Sequence, residues 1–362
     1  MHVRGPRCSQ SKFMFLFNKR QVNYCTSYRY LGVTLNEFLD YNFTADIQSE
    51  PAGRALGAII TKTIKNGGLP YNIYSMLFEC CCTSVSDYGS EVWGFEPKDG
   101  VTKIHLRAAR SFLGLPKNAT SVGVLAEINW LEPVFRAQIR MVRQFYRVFN
   151  METNRLTKRI LFWDKQISEQ FAFQTWYKEV QTIFETHNML AFFERGGDQK
   201  CIIDNLKQSM LVKQSVELKL KCEDKPKLRT FITFKNFGIT PPYLLMPLSF
   251  VQKKFLAKIR LSALAIRIET GRYERPKLMI QQRLCPSCKD GHSIETEEHF
   301  IFSCVVYNNL REIWLNKLVK PDNFSTLGTP EKFRTIYDQA PNIKITAQFL
   351  INCYDVRSKI VF

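Results

Sequence analysis

The stretch CPSCKDGHSIETEEHFIFSC, from Cys285 to Cys304, constrains the fold of this chain more than any other part of the sequence. It places two histidines among three cysteines, in a chain that has only 5 histidines. Tetrahedral Zn²⁺ binds thiolate sulfur and imidazole nitrogen, and two cysteines separated by two residues can reach one ion from a single turn. The stretch therefore predicts a zinc site that ties a short loop to the segment after it.

Two sets of four ligands fit this pattern. Both sets contain Cys285, Cys288 and Cys304. The fourth ligand is His299, which gives the spacing C-x2-C-x10-H-x4-C, or His292, which leaves an eleven-residue gap before the last cysteine. We favour His299, because each pair of ligands then comes from one short element. Four protein ligands predict a closed, structural Zn²⁺ site.

The remaining cysteines do not suggest a disulfide framework. The total of 11 is odd, and Cys80, Cys81 and Cys82 are consecutive, which predicts a reducing compartment. These three lie in an apolar helical pattern, where we expect them to pack as small core residues. We find no signal peptide and no apolar run long enough to cross a bilayer. The sequence thus predicts an intracellular protein, cytoplasmic or nuclear, with no membrane partner.

The hydrophobic pattern predicts a mainly α fold after a short β start. Residues 13–24 are typical of a β-hairpin and residues 28–35 of a third strand. After Phe38 the pattern is helical, and the first helix begins at Thr44 or only at Pro51. Further helices are predicted over 71–93, 101–113, 133–150, 249–269, 305–319 and 343–360. Residues 165–235 are predicted as mostly helical, and the proline-rich stretch 239–247 as a linker or domain boundary.

Basic residues exceed acidic ones by 51 to 33, a net charge of +18, which favours a polyanionic partner. In the helix predicted over 133–150, arginines recur in helical rhythm for about 16 Å beside a stripe of apolar residues. These arginines are Arg136, Arg140, Arg143 and Arg147, and the apolar residues are Phe135, Ile139, Val142, Tyr146 and Phe149. Two further sets of cations are Lys103, Arg107 and Arg110, and Lys253, Lys254, Lys258 and Arg260. We predict that all three sets contact phosphate groups.

Signatures of independent catalysis are missing from the sequence. A two-metal nucleic-acid enzyme needs paired carboxylates, and the sequence has no adjacent Asp pair. Asp87, in SVSDYGSEVWG, stands alone and is predicted as a hydrogen-bonding or helix-end residue. No nucleophile motif or phosphate-binding glycine loop is found. We assign no catalytic residue.

A series of segments gives the chain a family resemblance. They are YRYLGVTLNEFLDYN, AGRALGAIITK, SDYGSEVWGF, AARSFLGLPKNA, NRLTKRILFWD, AIRIETGRY and RLCPSC…ETEEHFIFSCVVYNNLRE. Together, in this order and over most of the chain, they resemble the C-terminal part of reverse transcriptases, the RNA-directed DNA polymerases encoded by non-LTR (LINE-type) retrotransposons. In that family the catalytic aspartates precede the hairpin that leads into the YLG strand, and they have no counterpart here.

The resemblance implies four parts. Residues 1–36 would be the C-terminal strands of a polymerase palm, 37–164 a helical thumb, 165–245 a helical connector, and 246–362 a basic helix, a zinc knuckle and terminal helices. The expected partner is RNA or an RNA–DNA hybrid, or DNA, held without polymerase activity from the chain alone. Two alternatives stay open: a zinc-stabilised protein-interaction scaffold derived from a mobile element, and an active polymerase or one half of a split enzyme.

Overall fold

The computed structural model describes residues 1–171, 173–288 and 291–361. Within them the chain is mainly helical, as the sequence predicted, with two small antiparallel hairpins near the N-terminus. The chain forms two compact units, each assembled from three segments. Unit 1 comprises Met1–Ile59, Leu77–His105 and Leu131–Lys213, and unit 2 comprises Ile60–Met76, Leu106–Trp130 and Gln214–Phe362.

The first hairpin pairs β1 (Phe15–Phe17) with β2 (Arg20–Val22), with Phe15 opposite Val22. Its two-residue turn, Asn18 and Lys19, has φ of 49° and 62°. Two consecutive positive φ values give a tight turn whose twist matches that of the strands. The hairpin predicted over residues 13–24 is therefore confirmed.

A second hairpin replaces the single strand predicted over residues 28–35. β3 (Ser27–Tyr30) pairs with β4 (Val33–Asn36), and the chain reverses at Leu31 and Gly32, whose φ values are 47° and 88°. The Tyr88 hydroxyl donates to the Leu31 carbonyl at 2.8 Å, and a Cβ on Gly32 would lie 3.2 Å from the Tyr88 ring. The single-strand prediction was wrong because this turn depends on a residue distant in sequence.

The α-helices are numbered in chain order. They are α1 Tyr41–Lys65, α2 Tyr71–Phe78, α3 Ser84–Ser86, α4 Ser90–Trp93, α5 Asp99–Leu113, α6 Ser121–Ile128, α7 Pro133–Phe149, α8 Leu156–Phe171, α9 Trp176–Thr186, α10 Leu190–Arg195, α11 Gln199–Glu223, α12 Phe231–Phe234, α13 Pro242–Leu245, α14 Phe250–Arg260, α15 Arg267–Thr270, α16 Asn308–Leu315, α17 Thr329–Asp338 and α18 Ala340–Val361. Shorter 3₁₀ turns cover Pro226–Leu228, Ile280–Gln282, Val305–Tyr307 and Phe324–Thr326, and π-helical turns cover Glu79–Thr83 and His299–Ser303.

Helix α1 begins at Tyr41 and continues through Pro51. Thr44 lies in its first turn and donates its hydroxyl to the Thr34 carbonyl at 2.8 Å. A start at Thr44 or at Pro51 was therefore a wrong prediction. Proline removes one intrahelical hydrogen bond, but Ala45 and Ala52 on either side are fully buried. Their packing keeps the helix continuous.

The helix predicted over 71–93 is broken into α2, a π-helical turn, α3 and α4. Gly89 precedes α4 with φ 74°, and a Cβ there would approach the Val33 side chain to 3.1 Å. Cys82 is buried, but Cys80 and Cys81 are exposed. The expectation that all three pack as core residues was wrong, because consecutive helical residues point in different directions.

The remaining predicted helices are present with other bounds: α16 is shorter than predicted, and α5 and α18 are longer. The helix predicted over 249–269 ends at Arg260, and Ser249 caps it through a capping box with Gln252. The predicted break at 239–247 contains α13, whose Tyr243 and Leu244 are fully buried within unit 2. Helix α17 was not predicted. None of the described helices has the length and apolar content that crossing a bilayer would require.

Helix α7 carries the core of unit 1. Its predicted apolar stripe is confirmed: Phe135, Ile139, Val142 and Tyr146 are buried and Phe149 is partly buried. Side chains from α8, α9, α10 and α11 complete this core. In unit 2, α14, α16 and α17 pack against α18.

Candidate metal centre and basic surfaces

The predicted cysteine and histidine ligands lie together. One ligand atom from each of Cys285, Cys288, His299 and Cys304 lies within 4.8 Å of the others. The two sulfurs of Cys285 and Cys304 are 3.9 Å apart, and the Cys288 sulfur is 3.6 Å from Nε2 of His299. Around a tetrahedral Zn²⁺, standard bond lengths separate two sulfurs by about 3.8 Å and a sulfur and a nitrogen by about 3.5 Å. The four residues can therefore hold one metal ion, and His292 is not among them.

Two short elements carry the ligands. We call residues 283–304 the metal module, of which residues 289 and 290 lie outside the described part. In its first element the Cys285 amide donates to the Ser293 carbonyl at 2.8 Å, which closes the loop that carries the first two cysteines. In the second, the π-helical turn places His299 one turn before Cys304, whose amide donates to the His299 carbonyl at 2.8 Å. Pairing the ligands on two elements was the reason for favouring His299.

The thiols of the site are electrostatically coupled. The hydrogen bond to Cys304 and, after it, burial raise the pKa of the Cys285 thiol to about 12. The same hydrogen bond lowers the pKa of Cys304. A bound cation favours the thiolate form of every ligand, so metal binding would release protons from this pair.

Two buried glutamates of the module join it to the rest of unit 2. Glu295 forms an ion pair with Arg357 at 2.6 Å and accepts the Arg267 amide at 2.5 Å. Glu297 pairs with Arg229 at 2.7 Å. No role was predicted for these two glutamates from the sequence. Their position between the two ligand pairs was the only signal, and it does not reveal partners as distant in sequence as Arg357.

The arginines of α7 divide into two groups. Arg136 is bound inside the protein: its Nε lies 2.9 Å from Oδ2 of Asp87, which is 2% exposed. It also donates to the Leu131 carbonyl at 3.0 Å and lies 3.2 Å from Nδ1 of His105. Burial, and then the charge of Arg136, holds the pKa of His105 well below its ordinary value. Asp87 thus accepts hydrogen bonds from Arg136 inside unit 1.

The other three arginines of α7 face an open cavity of about 550 Å³. Arg143 and Arg147 are exposed and Arg140 is half-buried. In the described part of the chain, no hydrogen bond or ion pair engages these three guanidinium groups. We call this space the arginine cavity; Glu91 is the one acidic residue among those that line it.

The cations of α5 are also in different environments. Lys103 and Arg107 are exposed. Arg110 donates to the Ala119 carbonyl and to the Ser121 hydroxyl, both at 2.9 Å, and burial lowers its pKa. Arg110 therefore holds the segment before α6.

Helix α14 buries much of the basic surface predicted for it. Lys253 is 4% exposed, donates to the Leu69 carbonyl at 3.0 Å and lies over the Phe112 ring. Burial lowers its pKa, and it lowers that of Lys258 as well. Lys254 and Lys258 are half-buried.

Arg260 lies in the interior of unit 2. Its guanidinium is 2.5 Å from the fully buried carboxylate of Glu127, which Lys235 also approaches at 3.8 Å. The charged group stacks on aromatic rings from three segments, which are those of Phe234, Tyr243 and Tyr337. In this environment the cation stabilises the fold and does not face solvent.

Comparison with known proteins identifies no relative: no family model matches the sequence, and neither a curated protein nor a solved structure is similar to it.

Proposed function

We propose that this chain is the C-terminal part of a reverse transcriptase of the non-LTR retrotransposon type, and that it binds RNA or an RNA–DNA hybrid without polymerising. The ordered motifs support this family. In this proposal the two hairpins are the last strands of a palm, the helices up to residue 164 form a thumb, and the metal module is the zinc knuckle.

The arginine cavity is the observation that carries nucleic-acid binding. Arg140, Arg143 and Arg147 form a line along one face of α7, with no acidic partner in the described part of the chain. Guanidinium groups bind phosphate oxygens with two parallel hydrogen bonds. Their spacing along a helix suits successive phosphates of a backbone, and the buried stripe beside them keeps the helix from rotating.

Zinc is the ion that we propose for the metal module. Three thiolates and one imidazole in a tetrahedral arrangement favour Zn²⁺ over hard cations such as Mg²⁺ and Ca²⁺. Four protein ligands leave no open coordination position, so the ion would hold the two elements of the module together and would not activate water.

The proposed function is tested by changing the three free arginines together to glutamine (R140Q, R143Q, R147Q). Affinity for a 20-nucleotide RNA and for the matching RNA–DNA hybrid, measured by fluorescence anisotropy, should fall at least about a hundredfold. A control with the same change in net charge replaces three exposed lysines, Lys207, Lys219 and Lys225, by glutamine. Equal losses in both variants would reject the cavity as the binding surface.

A protein-interaction scaffold is the second candidate, and the N-terminal hairpins favour it. Phe15, Leu16 and Phe17 are 52–73% exposed, and among the described strands β1 and β2 pair only with each other. Unpaired strand edges with apolar side chains bind other strands. A protein partner that is still bound by the triple arginine variant, and lost when Phe15 and Phe17 are changed to serine, would support this candidate.

A further inference from the structure

A second cavity with positive charge lies in unit 2, apart from the arginine cavity, and Arg283 and Thr296 of the metal module are among the residues that line it. It has a volume of about 620 Å³ and is formed by α15, the segment after it and the 3₁₀ turn at Pro226–Leu228. Four of its lining residues are cations, and none is acidic. These cations are Arg229, Arg272, Lys277 and Arg283. We call this space the cationic cavity.

Arg283 lines the cavity with a buried side chain, and main-chain groups hold its guanidinium in place. It donates to the Leu278 carbonyl from Nε at 3.2 Å and from Nη2 at 2.9 Å, and to the Ile268 carbonyl from Nη1 at 2.8 Å. Its side chain passes over Gly271, where a Cβ would lie 2.8 Å from Cγ of Arg283. The lack of a side chain at Gly271 leaves room for Arg283, and three hydrogen bonds to carbonyls hold its guanidinium in place. No carboxylate in the described part of the chain forms an ion pair with this guanidinium.

Carboxylates offset only part of this charge. Arg229 pairs with Glu297, and Arg272 lies 3.2 Å from Glu269. Glu269 is also the partner of Lys227. Two carboxylates thus form ion pairs with three cations. Arg283 and the exposed Lys277 have no carboxylate partner in the described part of the chain. The cavity therefore has an excess of positive charge, which favours an anion.

One wall of the cavity is apolar. Leu278, Met279 and Ile280 line it, and the last two are 71% and 54% exposed. Large apolar side chains side by side on a surface mark a binding site more often than a single one does. Ile268, Pro226 and Gln281 also line the cavity. A ligand that fills the cavity therefore needs a flat apolar part as well as an anionic group.

We propose that the cationic cavity binds a nucleoside phosphate. The phosphate would lie against the guanidinium groups and Lys277, since arginine binds phosphate oxygens in pairs. The base would pack on Met279 and Ile280, because a thioether makes favourable contacts with aromatic rings. The volume lies within the usual range for small-molecule sites, about 300–1,000 Å³. The nucleotide is either free or an unpaired nucleotide of a strand; only the second source rests on the proposed function.

Calorimetry with AMP, adenosine and inorganic phosphate tests the two halves of the site. AMP should bind with one site per chain, and adenosine and phosphate should each bind at least about tenfold more weakly, because each makes only half of the contacts. A hexaglutamate peptide serves as an anion without a base. If it, or phosphate alone, binds as tightly as AMP, or if AMP does not bind, the proposal is wrong.

Two exposed positions separate the charge from the apolar wall. Lys277→Glu should weaken AMP binding about tenfold by adding a repulsive charge, and the uncharged substitution Met279→Ser should weaken it by removing part of the wall. The matched control is Arg275→Glu, an exposed cation of the same segment that does not line the cavity. It should change AMP affinity less than about twofold. Equal effects of Lys277→Glu and Arg275→Glu would overturn the proposal.

Competition with single-stranded RNA distinguishes the two sources of the nucleotide. RNA that displaces AMP from the wild-type protein identifies a nucleotide within a strand, and RNA that leaves AMP bound identifies a free nucleotide; both support the site. The triple arginine variant should bind AMP like the wild type, because its substitutions are not in this cavity. AMP binding by that variant therefore tests the cationic cavity independently of the proposed function.

Discussion

At the scale of single residues, Arg136 and Arg143 show how burial decides what a charge does. They lie seven residues apart on α7, yet Arg136 pairs with an aspartate that is 2% exposed, and Arg143 is exposed at the arginine cavity. Removing one partner of a buried ion pair leaves the other charge without compensation. An exposed charge has no such cost. Arg136 should therefore affect the stability of the fold, and Arg143 the binding of RNA.

We expect Arg136→Gln to lower the free energy of unfolding by about 3 kcal/mol, because it removes one partner of a buried ion pair. Arg143→Gln should change the free energy by less than about 0.5 kcal/mol and should weaken RNA binding instead. Chemical denaturation followed by circular dichroism measures the first effect, and anisotropy measures the second. Equal destabilisation by both substitutions would contradict this assignment.

Lys235 should make stability depend on alkaline pH. Burial lowers its pKa from 10.5 to about 8, although Glu127, Asp338 and Cys222 act in the opposite direction and Arg260 adds to the lowering. Between pH 8 and 10.5 the unfolded chain therefore binds more protons at this lysine than the folded chain does. The contribution of Lys235 to stability then rises with pH in that window, by at most about 1.4 kcal/mol per pH unit.

Denaturation of the wild type and of Lys235→Met between pH 7.5 and 9.5 measures this contribution. The difference in unfolding free energy, wild type minus variant, should increase with pH, because only the wild type has the lysine. Lys225→Met, at an exposed position, is the control and should give a constant difference. A difference for Lys235→Met that stays flat or decreases would refute the proposed cause.

At the scale of elements, the metal module combines two short pieces of structure, the second of which buries the side chains of Phe300 and Ile301. One is a loop closed by hydrogen bonds around Ser293, and the other is a single π-helical turn. Small modules of this kind depend on the bound ion for stability. The ion pairs of Glu295 and Glu297 attach the module to unit 2 but do not connect its two ligand pairs.

We expect the purified chain to contain one zinc ion, and His299→Ala to weaken zinc affinity by more than about a hundredfold, because a ligand is lost. His292→Ala should retain the ion, since that residue is not among the four clustered ligands. Elemental analysis and competition with a chromogenic chelator measure both. Zinc loss in the His292 variant and retention in the His299 variant would reverse the ligand assignment.

At the scale of the whole molecule, the net charge of +18 makes association with any polyanion sensitive to salt. The structure reduces the number of cations that contribute, because Arg110, Arg136, Lys253 and Arg260 are bound within the protein. The free arginines of α7 should account for three phosphate contacts. The salt dependence of binding therefore reports how many cations reach the nucleic acid.

Raising the salt concentration from 50 to 200 mM should reduce the share of RNA affinity that these three arginines supply by about 20- to 40-fold. In a plot of log affinity against log salt, the slope of the wild type should exceed that of the triple arginine variant by about 2–3. The triple lysine variant should keep the wild-type slope. Indistinguishable slopes in all three proteins would mean that the arginine cavity makes no phosphate contacts.

Local patterns in the sequence determined the mainly helical fold, the first hairpin, the buried face of α7 and the four ligands of the metal module. Each of these depends on spacing within one short segment, which helical periodicity, turn chemistry and ligand geometry fix without reference to the rest of the chain. Only the tertiary structure decided where β3 ends, because that turn rests on Tyr88. It also decided which cations are free and that four cations line the cationic cavity, because partners such as Asp87, Glu127 and Glu297 lie 49, 133 and 68 residues away from their arginines. A charge run has the same sequence pattern whether its side chains face water or a buried carboxylate, and only folding brings that carboxylate within reach.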